Sequence, residues 1–391
     1  MSEQPDEFDM DALADMVANR LDDEDLVETD PHDAYELWME QLDRADSTLK
    51  TYGYRVKPFL DYCDENSITS LDQLTPRKIK EFEGSHRSKG LQPSTINNQF
   101  GTISLFLEYC YDLDAVTKDV VSALDVPSLS KDERVNTEKL VVERAHKILD
   151  NLSTYKYASR DHVLMLLLWR TTARIGAIHS LDLEDIYIGD DDRERLRHYL
   201  AEQYTGDTVE QILAQAQMPF IYPRHRPESD TPLKNGYDGE RVINISDDVA
   251  DVISAYIRVN RADVTDEYAR KPLLSTRKGA RRLSKSSMRN SLYIITQPCE
   301  FGGPCPHDRD PETCEAREHG HGSKCPSSRS PHKLRTGSIT WHRDKGWPIS
   351  ELAEKANAGR KLIEEVYDQP EKLVRGASRR RHLDKLDEDT S

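Results

Sequence analysis

The sequence predicts a multidomain α+β protein, in which an all-α N-terminal domain precedes a mostly α second domain containing a small β-sheet. Three observations lead there. The chain has 391 residues, enough for two or more hydrophobic cores. Apolar faces at helical spacing, with N-terminal caps, recur through residues 32–128. Two short β-rich runs, Phe220-Ile221-Tyr222 and Arg241-Val242-Ile243-Asn244-Ile245, interrupt a second helical series.

Composition narrows the class. Apolar residues make up 36% and charged residues 32%, and no stretch approaches the roughly 20 apolar residues of a membrane span. The N-terminus has no basic stretch followed by an apolar core, so a soluble, cytoplasmic protein is expected. Formal charge is −17; residues 1–31 hold twelve acids against Arg20 alone, and this acidic tail, expected to be disordered, carries −11 of it. With a pI of about 5.3 the totals give no overall basic surface for nucleic acid. The excess of Asp and Glu fits a solvated surface working in concentrated salt, a halophilic source, or an ordinary acidic protein with an acidic tail.

Along the first domain, residues 32–128, Ser47 is the expected cap of a helix with Leu49, Tyr52, Val56, Phe59 and Cys63 on one face, which Pro58 should kink or break. Leu71, Leu74 and Ile79 mark shorter helices, with Thr75-Pro76 as cap and first turn. A further helix follows Pro93, with Ile96, Phe100, Ile103, Leu107 and Cys110 inward. Cys63 and Cys110 read as core residues. Residues 129–141 are polar and aperiodic, an interdomain linker.

The second domain, residues 142–370, starts with an apolar helix from about Arg160 to Arg170, then a short face with Ile178 and Leu181. Residues 190–217 are a charged, helical insertion, and 298–329 a second insertion. The two β-rich runs flank a polar loop containing Lys234, and Ser246 or Asp247 caps a helix that turns Val249, Val252, Ile253, Tyr256 and Ile257 inward. Residues 371–391 form a C-terminal tail. Its Arg375 and Arg379-Arg380-Arg381 suit DNA phosphates or a neighbouring subunit, or form a solvated run offset by the acids from Asp384 to Asp389.

One constellation carries chemistry. Ser330-Pro331 is a helix start, and His332 and Arg335, three apart, share a face that can address one anion. Tyr367, the last tyrosine, follows on the short pattern Leu362, Ile363, Val366. With Arg174 and Lys234 these give two guanidinium groups, an imidazole, an ammonium and a phenol, the parts needed to cleave a phosphodiester without a metal. Lys234 also sits in Lys-Asn-Gly, an ordinary solvated turn.

These residues resemble the tyrosine recombinases, the phage-integrase and Xer-like family, and more narrowly its haloarchaeal members. Thr171-Thr172-Ala173-Arg174-Ile175-Gly176-Ala177-Ile178-His179-Ser180-Leu181 through Asp185-Ile186 is similar to the family's first arginine box, and His332-x-x-Arg335 to its second. Tyr367 stands at the nucleophile's place, and Ser47-Thr48, Tyr52 and Pro93-Ser94-Thr95-Ile96-Asn97 to Phe106 resemble its SAM-like core-binding domain. The resemblance implies a site-specific integrase that holds double-stranded DNA as a homo-oligomer, a dimer on each site and a tetramer in the synapse, with no membrane partner. It implies that Tyr367 forms a 3′-phosphotyrosyl intermediate, that Arg174 and Arg335 clamp the phosphate, that His332 adds a hydrogen bond or takes the tyrosine proton, and that Lys234 protonates the leaving oxygen. No catalytic cofactor is expected.

Two positions depart from the family pattern. Asn357-Ala358-Gly359 stand where a further His or Trp is usual, so that Asn357 is the candidate for a hydrogen bond to the phosphate, and Ala177 replaces an acidic residue. They leave open a recombinase-derived DNA-binding protein impaired in cleavage; a type IB topoisomerase-like nickase-ligase is a further alternative. Separately, Cys299, Cys305, Cys314 and Cys325, interleaved with His307, His319 and His321, either hold a structural zinc or remain free thiols. Their spacing contains no CxxC pair.

Overall fold

A computed structural model describes residues 26–130, 133, 138–279 and 281–364. The chain forms two compact units, divided after residue 136. Most of the acidic tail, part of the linker, Tyr367 and the C-terminal tail lie outside the described residues.

The first unit is built of α1 (Pro31–Gln41), α2 (Asp46–Glu65), α3 (Pro76–Arg87), α4 (Pro93–Asp112) and α5 (Lys118–Ala123). The last residues of the acidic segment belong to it: Val27 N–H donates to the Asp114 carbonyl, and the Asp30 carboxylate caps α1 by accepting from His32 and Asp33. Thr75 caps α3 as expected, accepting from the Lys78 N–H. Two expectations are corrected. The helix predicted to start at Ser47 begins at Asp46, with Ala45 in the cap position and no side-chain cap. Pro58 does not break it, since α2 runs unbroken through that residue. The carbonyl that loses its intrahelical donor belongs to Tyr54, an exposed residue, where solvent can replace the bond. The core is aromatic, with Trp38 stacked on Tyr52 at 5.7 Å and Phe59 set edge-on to Phe82 at 5.4 Å. Cys63 and Cys110 are fully buried in it, and burial pushes both thiols up to about 12.

The second unit packs around α7 (Arg160–Thr171), in which every residue from His162 to Trp169 is buried. That is why its sequence shows a continuous apolar run instead of one face. Around it lie α6 (Val142–Tyr155), α8 (Ile175–Ser180), α11 (Asp247–Ala255), α12 (Lys285–Ile295) and α13 (Pro331–Asp344). The sheet has three antiparallel strands in the order β1 (Ile186–Tyr187), β2 (Phe220–Ile221), β3 (Ile243–Asn244), with Ile186 opposite Ile221 and Ile221 opposite Ile243. Sequence reading supplied β2 and β3. A second hairpin pairs β4 (Ser275–Thr276) with β5 (Arg281–Arg282); all five strands are two residues long, and β1, β4 and β5 lie outside the two β-rich runs of the sequence. The 190–217 insertion is a helical hairpin, α9 (Asp190–Ala201) and α10 (Gly206–Gln215), that covers Tyr187 and Phe220 of the sheet.

A buried ionic network joins distant parts of this unit. Asp182 pairs with Arg270 at 2.7 Å, with Arg226 at 3.4 Å and with Arg282. Asp185 holds Arg226 at 2.8 Å, and Asp266 takes Arg282 at 3.0 Å. The network fixes the turn from α8 into β1 against the loop before β4. Among the described residues, no helix is long and apolar enough to cross a membrane.

Two outcomes test this packing. At Gly337, on α13, an added methyl group would run into the Leu140 carbonyl and the Trp169 ring, so Gly337→Ala is expected to lower stability by about 2 kcal/mol or more, read as a fall in melting temperature. Burial pushes His179 down to about 3 and His342 down to about 4, while the unfolded chain titrates near 6.5. Between those values the unfolded chain binds protons that the folded one refuses, so stability present above pH 6.5 is lost on acidification. A loss of about 2 kcal/mol per histidine between pH 7 and pH 5 is expected in urea unfolding followed by tryptophan fluorescence.

Candidate active site

The C-terminus of α7 and the N-terminus of α13 build the centre of the site. Thr172, fully buried, ends α7 in the left-handed conformation at φ 56°, and the chain turns there so that Arg174 occupies the cap position of α8. On α13, the Ser330 hydroxyl accepts from the Lys333 N–H and Pro331 takes the first helical position. This places His332 in the first turn and Arg335 one turn further on. Arg335, 5% exposed, donates to the Thr172 carbonyl at 2.6 Å, so the guanidinium is held against the very turn that presents Arg174.

Arg174 donates to the Asn357 carbonyl at 2.7 Å. Asn357 follows α14 (Ile349–Ala356), in the left-handed conformation that asparagine tolerates better than most residues. The structure commits its side chain inside the protein: the amide oxygen accepts from Asn235 at 2.6 Å and the amide nitrogen donates to the Asp238 carbonyl at 3.1 Å. The residue expected to contact a phosphate thus ties the β2–β3 loop to Arg174. Lys234, exposed in that loop, lies near enough to His332 to act on it. The imidazole is held below its usual range by burial and by Arg335, Lys234 and Arg174, in that order. His332 still meets solvent on one side. The structure therefore brings Arg174, Lys234, His332, Arg335 and Asn357 into one neighbourhood. Tyr367 lies outside the described residues.

Ala177 is buried in the core cluster, where an ionised side chain would be left without water. Arg241 opens the second β-rich run, seven residues after Lys234. Its Nε donates to the Lys355 carbonyl at 2.8 Å and a terminal nitrogen to the Gly239 carbonyl at 2.9 Å. Sequence alone offered no signal to separate it from a solvated arginine.

The second insertion is braced by polar contacts. Gln297 donates to the Ala316 carbonyl at 3.0 Å, and Arg317 pairs with Glu300 at 2.6 Å. Among the described residues Cys299, Cys305, Cys314 and Cys325 form no disulfide. His307 is 2.9 Å from the Ser327 hydroxyl, and His321 is 3.1 Å from Glu318. Among the described residues no group of three or more His, Cys, Asp or Glu side chains is drawn together as a metal ion would require.

The amide latch is open to test. Asn235→Ala or Asn357→Ala is expected to release residues 234–240 at about 1 kcal/mol, raising their amide hydrogen exchange about fivefold with little change in global melting. The double variant should match Asn357→Ala, because that substitution already removes the bond that Asn235 shares as well as the one to the Asp238 carbonyl.

Comparison with known proteins bears on the fold and on the first unit. Residues 35–116 match the phage integrase N-terminal SAM-like domain. Tyrosine recombinase XerC of Actinobacillus succinogenes is 23% identical over 36% of this chain and 46% of its own, and tyrosine recombinase XerD of Staphylococcus epidermidis is 24% identical over 36% and 48%. The chain spans about half the length of these curated relatives. The crystal structure of a lambda integrase tetramer bound to a Holliday junction superposes with a TM-score of 0.55 at 12% identity, covering 88% of this chain and 78% of that one. The fold is that of the integrases, the first unit carries their SAM-like domain, and the chain is a homologue of the Xer tyrosine recombinases.

Proposed function

We propose that this protein is a site-specific DNA recombinase that cuts and rejoins duplex DNA through a tyrosine ester. The observation that carries the reading is the convergence of Arg174, Lys234, His332 and Arg335, from three separate stretches of chain, into one positive field. Planar guanidinium groups match the non-bridging oxygens of a phosphate, and those oxygens gain charge as the phosphorus becomes pentacoordinate. Arg174 and Arg335 are each held by a backbone carbonyl, a bond that fixes the guanidinium plane.

In the reaction, the Tyr367 hydroxyl oxygen attacks the phosphorus and its proton passes to His332. Burial and the neighbouring cations keep that imidazole neutral, and so able to accept, at lower pH than an ordinary histidine. The bond from phosphorus to the 5′-oxygen breaks, and Lys234 gives that oxygen a proton. The products are a 3′-phosphotyrosyl protein and a free 5′-hydroxyl. Because the ester keeps the energy of the broken linkage, rejoining needs neither nucleotide hydrolysis nor a metal. Attack by a 5′-hydroxyl from another duplex completes an exchange. Partners are double-stranded DNA and further copies of the chain, a dimer on each site and a tetramer in the synapse. The solved lambda integrase tetramer on a Holliday junction supports that assembly.

Covalent adducts recovered from denatured cells provide the test. The wild type is expected to yield protein–DNA adducts whose sequenced DNA defines the site, and Tyr367→Phe to yield none. Adducts that persist in Tyr367→Phe refute the assignment of the nucleophile. DNA binding without any adduct, on a nicked substrate that prevents rejoining, replaces this reading with that of a DNA-binding protein.

A further inference from the structure

Arg241 stands at the end of the loop that carries Lys234, two residues before β3. Its bonds to the Lys355 and Gly239 carbonyls hold the guanidinium plane fixed. Arg241 and Arg174 line the same cavity, of about 500 Å³, and grip carbonyls two residues apart at the end of α14, those of Lys355 and Asn357. Asp238, Glu240 and Glu354 also line the cavity, yet among the described residues no carboxylate forms an ion pair with Arg241. Glu240 is engaged elsewhere, accepting from the His225 N–H at 2.6 Å and the Tyr222 hydroxyl at 3.5 Å.

The electrostatics agree with the geometry. Burial pushes Arg241 down to about 10, helped by the charges of Arg335 and Arg174. Three guanidinium groups held in one field repel one another, and a partly desolvated cation without a counterion is unfavourable. An anion arriving between them removes both penalties. No such penalty would arise if Arg241 were a solvated surface arginine.

We propose that Arg241 is a third guanidinium of the phosphate site, donating from its remaining terminal nitrogen to a non-bridging oxygen of the scissile phosphate. This assignment rests on the recombinase reading and adds to it a residue outside the two arginine boxes. The loop then delivers two cations: Lys234 to the leaving oxygen and Arg241 to the charge that develops on the non-bridging oxygens. Asn357 and Asn235 hold the loop in place, and the end of α14 sets the spacing between Arg241 and Arg174.

The test uses the full chain and a nicked duplex carrying the site found from wild-type adducts. It is made in two forms, one with the natural scissile phosphodiester and one with a methylphosphonate there, in which a methyl group replaces a charged oxygen. Covalent capture is followed in a single turnover at saturating protein. Arg241→Ala is expected to slow capture of the phosphodiester by about 100-fold or more, and Arg241→Lys by less, while the deficit shrinks at least tenfold on the methylphosphonate. An equal deficit on both forms, or relief only when the methylphosphonate sits at the neighbouring phosphate, overturns the assignment. So does wild-type speed in both variants. If the wild type itself captures neither form, the recombinase reading falls and this one with it. Arg241→Lys, which keeps the charge, guards against a fold defect in the alanine variant, and melting temperatures of all three proteins identify one.

Discussion

The close approach of α13 to α7 is the constraint on which the rest of the site depends. Gly337 permits it, because the Leu140 carbonyl and the Trp169 ring occupy the space that any side chain would need. Two residues earlier on the same helix, Arg335 reaches the Thr172 carbonyl, and three residues before that, His332 enters the field of the arginines. The Ser338 hydroxyl bonds the Trp169 carbonyl from the adjacent position. A displacement of α13 by even one residue's rise would withdraw all these groups together.

Legibility in the sequence followed the length of each element. Helix α7 showed itself as an apolar run, α4 as a Pro-initiated face, and α13 through Ser330-Pro331, since each has enough residues to display a period or a cap. All five strands are two residues long and have no period of their own; β2 and β3 showed only through the longer β-rich runs that contain them, while β1 and the β4–β5 hairpin did not show. The same limit applied to the site. Arg174, His332 and Arg335 sit in boxes whose local chemistry is readable. Arg241 acquires meaning only from carbonyls of Lys355 and Gly239, the first more than a hundred residues away in the chain. Asn357 was visible as a departure from a pattern. Its partners, Asn235 and Asp238, were not, because hydrogen bonds across such separations leave no trace in spacing.

The latch also explains how the site can lack a bulky aromatic group at that position. A left-handed residue after α14 can point its carbonyl at Arg174 and its amide at the loop. Asparagine does both, whereas a β-branched residue there would be strained. The loop bearing Lys234 is then positioned by amide hydrogen bonds where packing against a ring would otherwise serve.

The ionic knot around Asp182 and Asp185 bears on the solvent in which the protein can operate. Both carboxylates are almost wholly shielded from water, so dissolved ions screen their pairs with Arg226, Arg270 and Arg282 weakly. Net charge is −17, of which residues 1–31 carry −11, and repulsion among exposed charges is readily screened. Rising ionic strength therefore relaxes the mutual repulsion of the outside while leaving the internal pairs nearly intact. The balance between the two moves toward the folded state as the medium becomes more saline.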